Sequence, residues 1–251
     1  PEQPVVLRGD PTRRDGRWQG VALLRSPQPS RWTHVEIRGA TGIDRPGWRL
    51  PAALALRSAF LDLEHVRIVD SRARTSVLVE SGQLDARGLA IVASAGTALE
   101  LRDSTSTLED VEVRDAMRNA IEAIDSQLRI AGGRIENVRG TALEAADASR
   151  VEARSLAIAR VGIGATAKNG GLVDLAQSSL RDVAHAPFTA FTDRPELGGG
   201  EVRAADNDVA WTGDDDEARG AVAVVQRGSR AVIDGVEAPQ VAAQIGELRM
   251  D

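Results

Sequence analysis

One short phrase returns along this chain at a fixed interval. It reads TALELRD at 97–103, NAIEAID at 119–125 and TALEAAD at 141–147, each with a glutamate three residues before an aspartate. The apolar frame around it extends further. Leu54, Val77, Leu99, Ile121, Leu143 and Ala165 fall 22 or 23 residues apart, and Leu56, Val79, Leu101, Ala123, Ala145 and Ala167 follow two residues later. A spacing of two marks one face of a β-strand, since alternate side chains point the same way. A second pair of columns runs Leu61/Leu63, Leu84/Ala86, Leu128/Ile130, Val151/Ala153 and Val173/Leu175, with Ser106/Leu108 its weakest member. A third runs Val66/Ile68, Leu89/Ile91, Val111/Val113 and Leu156/Ile158, then single apolar residues at Ile135, Leu180 and Val202.

Three short strands separated by Ser-, Gly-, Asp- and Asn-rich turns cannot close a core within one such unit. Stacked rungs can, because each buries its apolar face on the next. Helical spacing at i, i+3, i+4 is absent. The expected fold is all-β: a right-handed parallel β-helix, a solenoid of about nine to ten coils built from roughly 22-residue, three-strand repeats. Residues 1–251 read as a single domain. N-terminal coils with an insertion at 39–51 occupy 1–51, regular repeats 52–184, and C-terminal coils with long loops 185–251. The loops include FTDRPELGGGEV at 191–202 and the Pro-containing HAPFTAFTDRP that opens at His185.

With this repeat the chain resembles the right-handed β-helix proteins of the pectate-lyase-like superfold, most strongly over 50–205. The stretch GRWQGVALLRS at 16–26 is similar to the W-x-G-[IV] phrase near the start of bacterial β-helix domains. The resemblance implies an outer sheet face where carboxylates and basic residues meet an extended polysaccharide. It brings no specific enzyme family with it. The W-x-D-H phrase of pectate lyases, the N-T-D, G-H-G and R-x-K set of polygalacturonases and the D-P-H phrase of mannuronan epimerases are all missing.

Composition narrows the function classes. A chain 42% hydrophobic and 27% charged suits a folded body. The net charge of −6 opposes nucleic-acid binding, which calls for a basic stripe. No apolar run approaches the roughly 18–20 residues of a membrane span. Without cysteine there is neither a disulfide framework nor a thiolate metal site. The opening PEQPVVLRGD carries no signal-peptide pattern, as a trimmed or processed chain, or a piece of a larger protein, also would not. The setting expected from the resemblance is extracytoplasmic: periplasmic, secreted or at the cell surface.

Strand phase selects the candidate site. With Leu99 and Leu101 inward, Glu100 and Arg102 point outward, Glu122 and Glu144 share the Glu100 phase, and Lys168 shares that of Arg102. Asp103, Asp125 and Asp147, continued by Asn169, stand at the strand ends. An outward acidic stripe is expected. Stacked about 4.8 Å apart, such carboxylates repel and raise one another's pKa. They suit acid–base work on a sugar chain, or Ca²⁺ held through hard oxygen ligands. Glu122, Asp125, Glu144, Asp147 and Lys168 are the catalytic candidates; Glu100, Arg102, Asp103, His185 and Trp48 are the ligand-binding ones. The plainer reading is that Asp and Asn favour turns and that outward Glu keeps a repeat soluble.

No metal site is assigned, because His34, His65 and His185 share no phase. Trp48, inside the insertion, reads as a cap over apolar surface, as do Phe188 and Phe191 in the late loop. Asp214–Asp216 read as a solvated loop, and Gly198–Gly200 has no following helix to make a phosphate loop. Aromatic content of 3% argues against a broad sugar-stacking groove. Two functions follow. One is a non-catalytic binding or scaffold β-helix for polysaccharide; the alternative is a polysaccharide lyase, hydrolase or epimerase using the acidic ladder.

Overall fold

The computed structural model describes residues 3–10, 12, 18–26, 28–45, 47–210 and 222–241. They form strands and turns, with one 3₁₀ turn at Pro195–Leu197 and no α-helix among the described residues. The strands stack into a parallel β-solenoid with three sheets around one core. In the first sheet, Val21–Leu24, Ala52–Arg57, Thr75–Glu80, Thr97–Arg102 and Ile121–Ile124 are followed by 141–146, 163–168, 188–190 and 223–225. The second holds Ser30–Thr33, Phe60–Glu64, Gln83–Arg87, 105–109, 127–131, 150–154, Leu172–Ala176, Glu201–Ala205 and Arg230–Ile233. The third runs from Val5–Arg8 through Val35–Arg38, Arg67–Ser71 and Ala90–Ser94 to Asp208–Ala210.

The sequence columns are the structural columns. Leu54, Val77, Leu99, Ile121, Leu143 and Ala165 are hydrogen-bonded neighbours in one register, and all are fully buried. About six regular turns span 52–183, and with the end coils the first and second sheets each hold at least nine rungs among the described residues, against the nine to ten coils expected. The end coils depart from the repeat because lateral segments interrupt them. Residues 39–51 contain an antiparallel hairpin, Ile43–Arg45 with Trp48–Leu50. Ile43 and Leu50 pack on Ala55 and Leu78, which face outward from the first sheet, so this end of that face is covered.

Two expectations near the C-terminal end are corrected. His185–Phe191 is the end of the strand Ser179–Phe191, not a loop. Phe188 does not cap the core but lies in it, fully buried and in register with Ala165 and Ala223, where neighbouring rungs carry only alanine. The loop is 192–200, and its length displaces the count: Val202 pairs with Val173 in the second sheet, and Val209 takes the third-sheet place after Leu180.

Each corner of a coil needs one left-handed residue. At the first corner these are Arg25, Ser58, Ser81, Asp103, Asp125, Asp147 and Asn169, with φ between 47° and 54°. Asp and Asn tolerate this conformation at least cost among non-glycine residues. His34 and His65 occupy the corner between the second and third sheets, with φ of 52° and 53°, and their rings lie 5.2 Å apart. Serines close the first corner across rungs. The Ser104 N–H donates to Ser126 Oγ (3.1 Å) and the Ser126 N–H to Ser149 Oγ (2.9 Å). Backbone donors that a sharp turn leaves unpaired are satisfied this way. No helix of the described residues is long and apolar enough to cross a membrane.

Candidate functional site

Register carries one outer column of the first sheet through Ala55, Leu78, Glu100, Glu122, Glu144, Thr166 and Thr189. The three glutamates are therefore neighbours on successive rungs, and Arg102 and Lys168 lie in the adjoining column, three rungs apart. The glutamate column is less exposed than expected, with Glu122 half-buried. Glu100 is 6% and Glu144 7% exposed. The cover comes from the same outer face: Thr75 and Asn119, each from the preceding rung, reach Glu100 and Glu144.

Burying a carboxylate requires compensation. Glu100 accepts from Arg102 Nε (2.6 Å) through one oxygen and from Thr75 Oγ1 (2.8 Å) through the other. Glu144 contacts Lys168 Nζ (2.7 Å) and accepts from Asn119 Nδ2 (3.0 Å). Asn119 is in turn fixed by the Thr141 N–H on its Oδ1 (3.0 Å). Glu122, between them, has no cation in contact among the described residues. Burial raises its pKa, and the Glu144 and Glu100 charges raise it further, against the pull of Lys168 and Asn119. Burial disfavours the charge on Lys168, yet Glu144 in contact and Glu122 beyond it outweigh that, and its pKa rises.

The aspartates behave differently. Asp103 and Asp125 are exposed at the corner. Asp103 accepts from Ser81 Oγ (2.9 Å), and the Asp125 carboxylate has no partner among the described residues. Asp147 is held by Arg194 and by Asn169 Nδ2 (3.2 Å). Asn169 is a junction that periodicity marked only as a ladder member. It is buried, its Oδ1 accepts from Thr192 Oγ1 (3.0 Å) and from the N–H groups of Asp193 (3.0 Å) and Arg194 (3.1 Å), and its Nδ2 donates to Asp193 Oδ1 (2.6 Å). It ties the lateral loop to the first corner.

His185 sits at the corner after Val183, where the pairing between the first-sheet and third-sheet segments slips by one residue. Trp48 lies on the hairpin's second strand, and its side chain is outside the described residues, as are Asp214–Asp216. Among the described residues no three His, Asp or Glu groups converge as metal ligands. Sequence reasoning passed over Phe60, which is 43% exposed. Its signal was phase: Leu61 and Leu63 point inward, so Phe60 stands on the outward face of the second sheet.

By fold the chain is a parallel β-solenoid. No family model matches it, and neither a curated protein nor a solved structure matches at a significant level.

Proposed function

We propose that this β-solenoid is an extracytoplasmic protein that interacts with a polysaccharide as a non-catalytic binding or scaffold domain. The observation that carries this reading is the closure of the acidic stripe. Arg102 and Lys168, the cations a lyase or hydrolase would turn toward substrate, are engaged with Glu100 and Glu144 on the protein itself. Rigid rungs about 4.8 Å apart present equivalent outer groups at regular intervals, an arrangement suited to an extended repeating polymer. The extracytoplasmic setting is part of the same proposal and rests on the resemblance to β-helix proteins that meet polysaccharide.

One observation favours the enzymatic alternative. Glu122 keeps a raised pKa between two paired carboxylates, the condition of a general acid. Screening on a glycan array, followed by product analysis on every retained polymer, separates the two readings. Retention without cleavage supports the scaffold. Cleavage or epimerisation that Glu122→Gln abolishes, with cooperative unfolding retained, replaces it with the enzyme. An array that retains nothing removes polysaccharide from the proposal.

A further inference from the structure

A groove of about 480 Å³ crosses the corner between the first and second sheets, away from the acidic stripe. It follows the solenoid axis, because its lining residues repeat from rung to rung. One wall is the outward column Phe60, Gln83, Thr105 and Gln127 at the start of the second-sheet strands. The other is the left-handed corner column Ser81, Asp103 and Asp125. The floor is Ser104 and Ser126, buried, each donating its hydroxyl to a backbone carbonyl two residues back (2.6 and 2.7 Å).

The chemistry of this groove is uneven in an informative way. Phe60 stands at one end as an exposed ring, a large apolar surface with no structural duty in the core. Beyond it come amides, hydroxyls and two carboxylates, and Asp125 keeps both oxygens open among the described residues. Among the described residues no lysine or arginine lines it. The depressions over the second sheet differ, being lined by Arg31 and Arg87, or by Arg129 and Arg154.

We propose that this corner groove is the glycan-binding surface, and that it takes a neutral, hydroxyl-rich chain and rejects a polyuronide. The proposal rests on the polysaccharide reading above and names the ligand class and the place. One sugar stacks its C–H face on the Phe60 ring, and the following residues run along the axis. Their hydroxyls donate to Asp103 and Asp125, and Gln83 and Gln127 both donate and accept. A uronate chain would set carboxylates against Asp103 and Asp125 with no lining cation to offset the repulsion.

The test is calorimetric titration of the full chain with cellohexaose, mannohexaose and hexagalacturonate, repeated for Phe60→Ala, Asp125→Asn and, on the third sheet away from the groove, Glu112→Gln. Asn is chosen at 125 because it also accepts the left-handed corner, and Phe60 is exposed, so all three variants are expected to fold. The expected result is that a neutral hexasaccharide binds more tightly than hexagalacturonate. Phe60→Ala and Asp125→Asn each weaken it about tenfold or more, and Glu112→Gln leaves it within twofold. Tighter binding of hexagalacturonate, or neutral binding indifferent to Phe60→Ala, overturns the groove while the polysaccharide reading stands. If none of the three oligosaccharides binds and the glycan array also retains nothing, both fall.

Discussion

Two residues show how a repeat tolerates exceptions. Ser106 points into the core between Leu84 and Leu128, is 1% exposed, and its hydroxyl has no hydrogen-bond partner. An unsatisfied buried hydroxyl costs about 1–3 kcal/mol. Ser106→Ala is therefore expected to stabilise the protein by about 1 kcal/mol, read as a higher urea midpoint with unchanged slope. Glu122 is the electrostatic exception. Its folded pKa lies above the unfolded value near 4.5, so the folded state binds the proton more tightly. Stability is then greatest with Glu122 protonated, and falls as pH rises from about 4.5 through the raised folded pKa. Glu122→Gln removes that loss. Melting temperatures of the variant and parent should converge at pH 4 and separate in the variant's favour at pH 7; equal separation at both values would show that the shift is not electrostatic.

At the scale of the element, the corner explains the recurring aspartates. A three-sided coil must turn sharply three times, and each turn holds a residue at positive φ that Asp and Asn supply most readily after glycine. Turn chemistry thus accounts for where Asp103, Asp125 and Asp147 stand, whatever their side chains also bind. Asn169 takes this role further, because its side chain also anchors the lateral loop. Asn169→Ala loses the side-chain acceptor shared by Thr192, Asp193 and Arg194. Limited proteolysis should then cut the variant within 192–200 at least several-fold faster, while the regular coils stay protected. The hairpin over Ala55 and Leu78 is a different device: it covers an outer apolar patch that the glutamates replace on later rungs.

For the whole molecule, each rung contacts chiefly its neighbours, so stability is close to a sum of local terms. Leu99→Ala, in a fully buried central rung, is expected to cost about 2–5 kcal/mol. The accompanying loss of hydrogen-exchange protection should be greatest in the adjoining strands Thr75–Glu80 and Ile121–Ile124, and smallest at Val5–Arg8 and Arg230–Ile233. A uniform loss across all rungs would contradict a nearest-neighbour solenoid.

The repeat alone determined the strands, their inward residues and their register, because a period-two pattern recurring at a fixed interval has one economical way to bury its apolar face. It also brought Glu100, Glu122 and Glu144 onto successive rungs. It did not reveal that Glu100 and Glu144 would be buried and Glu122 half-buried, because outward phase says nothing of how Thr75, Arg102, Lys168 and Asn119 close over a column. It misread Val202 and His185–Phe191 because a lateral loop breaks the count on which periodicity depends. The groove beside Phe60 was decided by tertiary structure alone: its two walls belong to different columns, and only the folding of the corner sets them side by side.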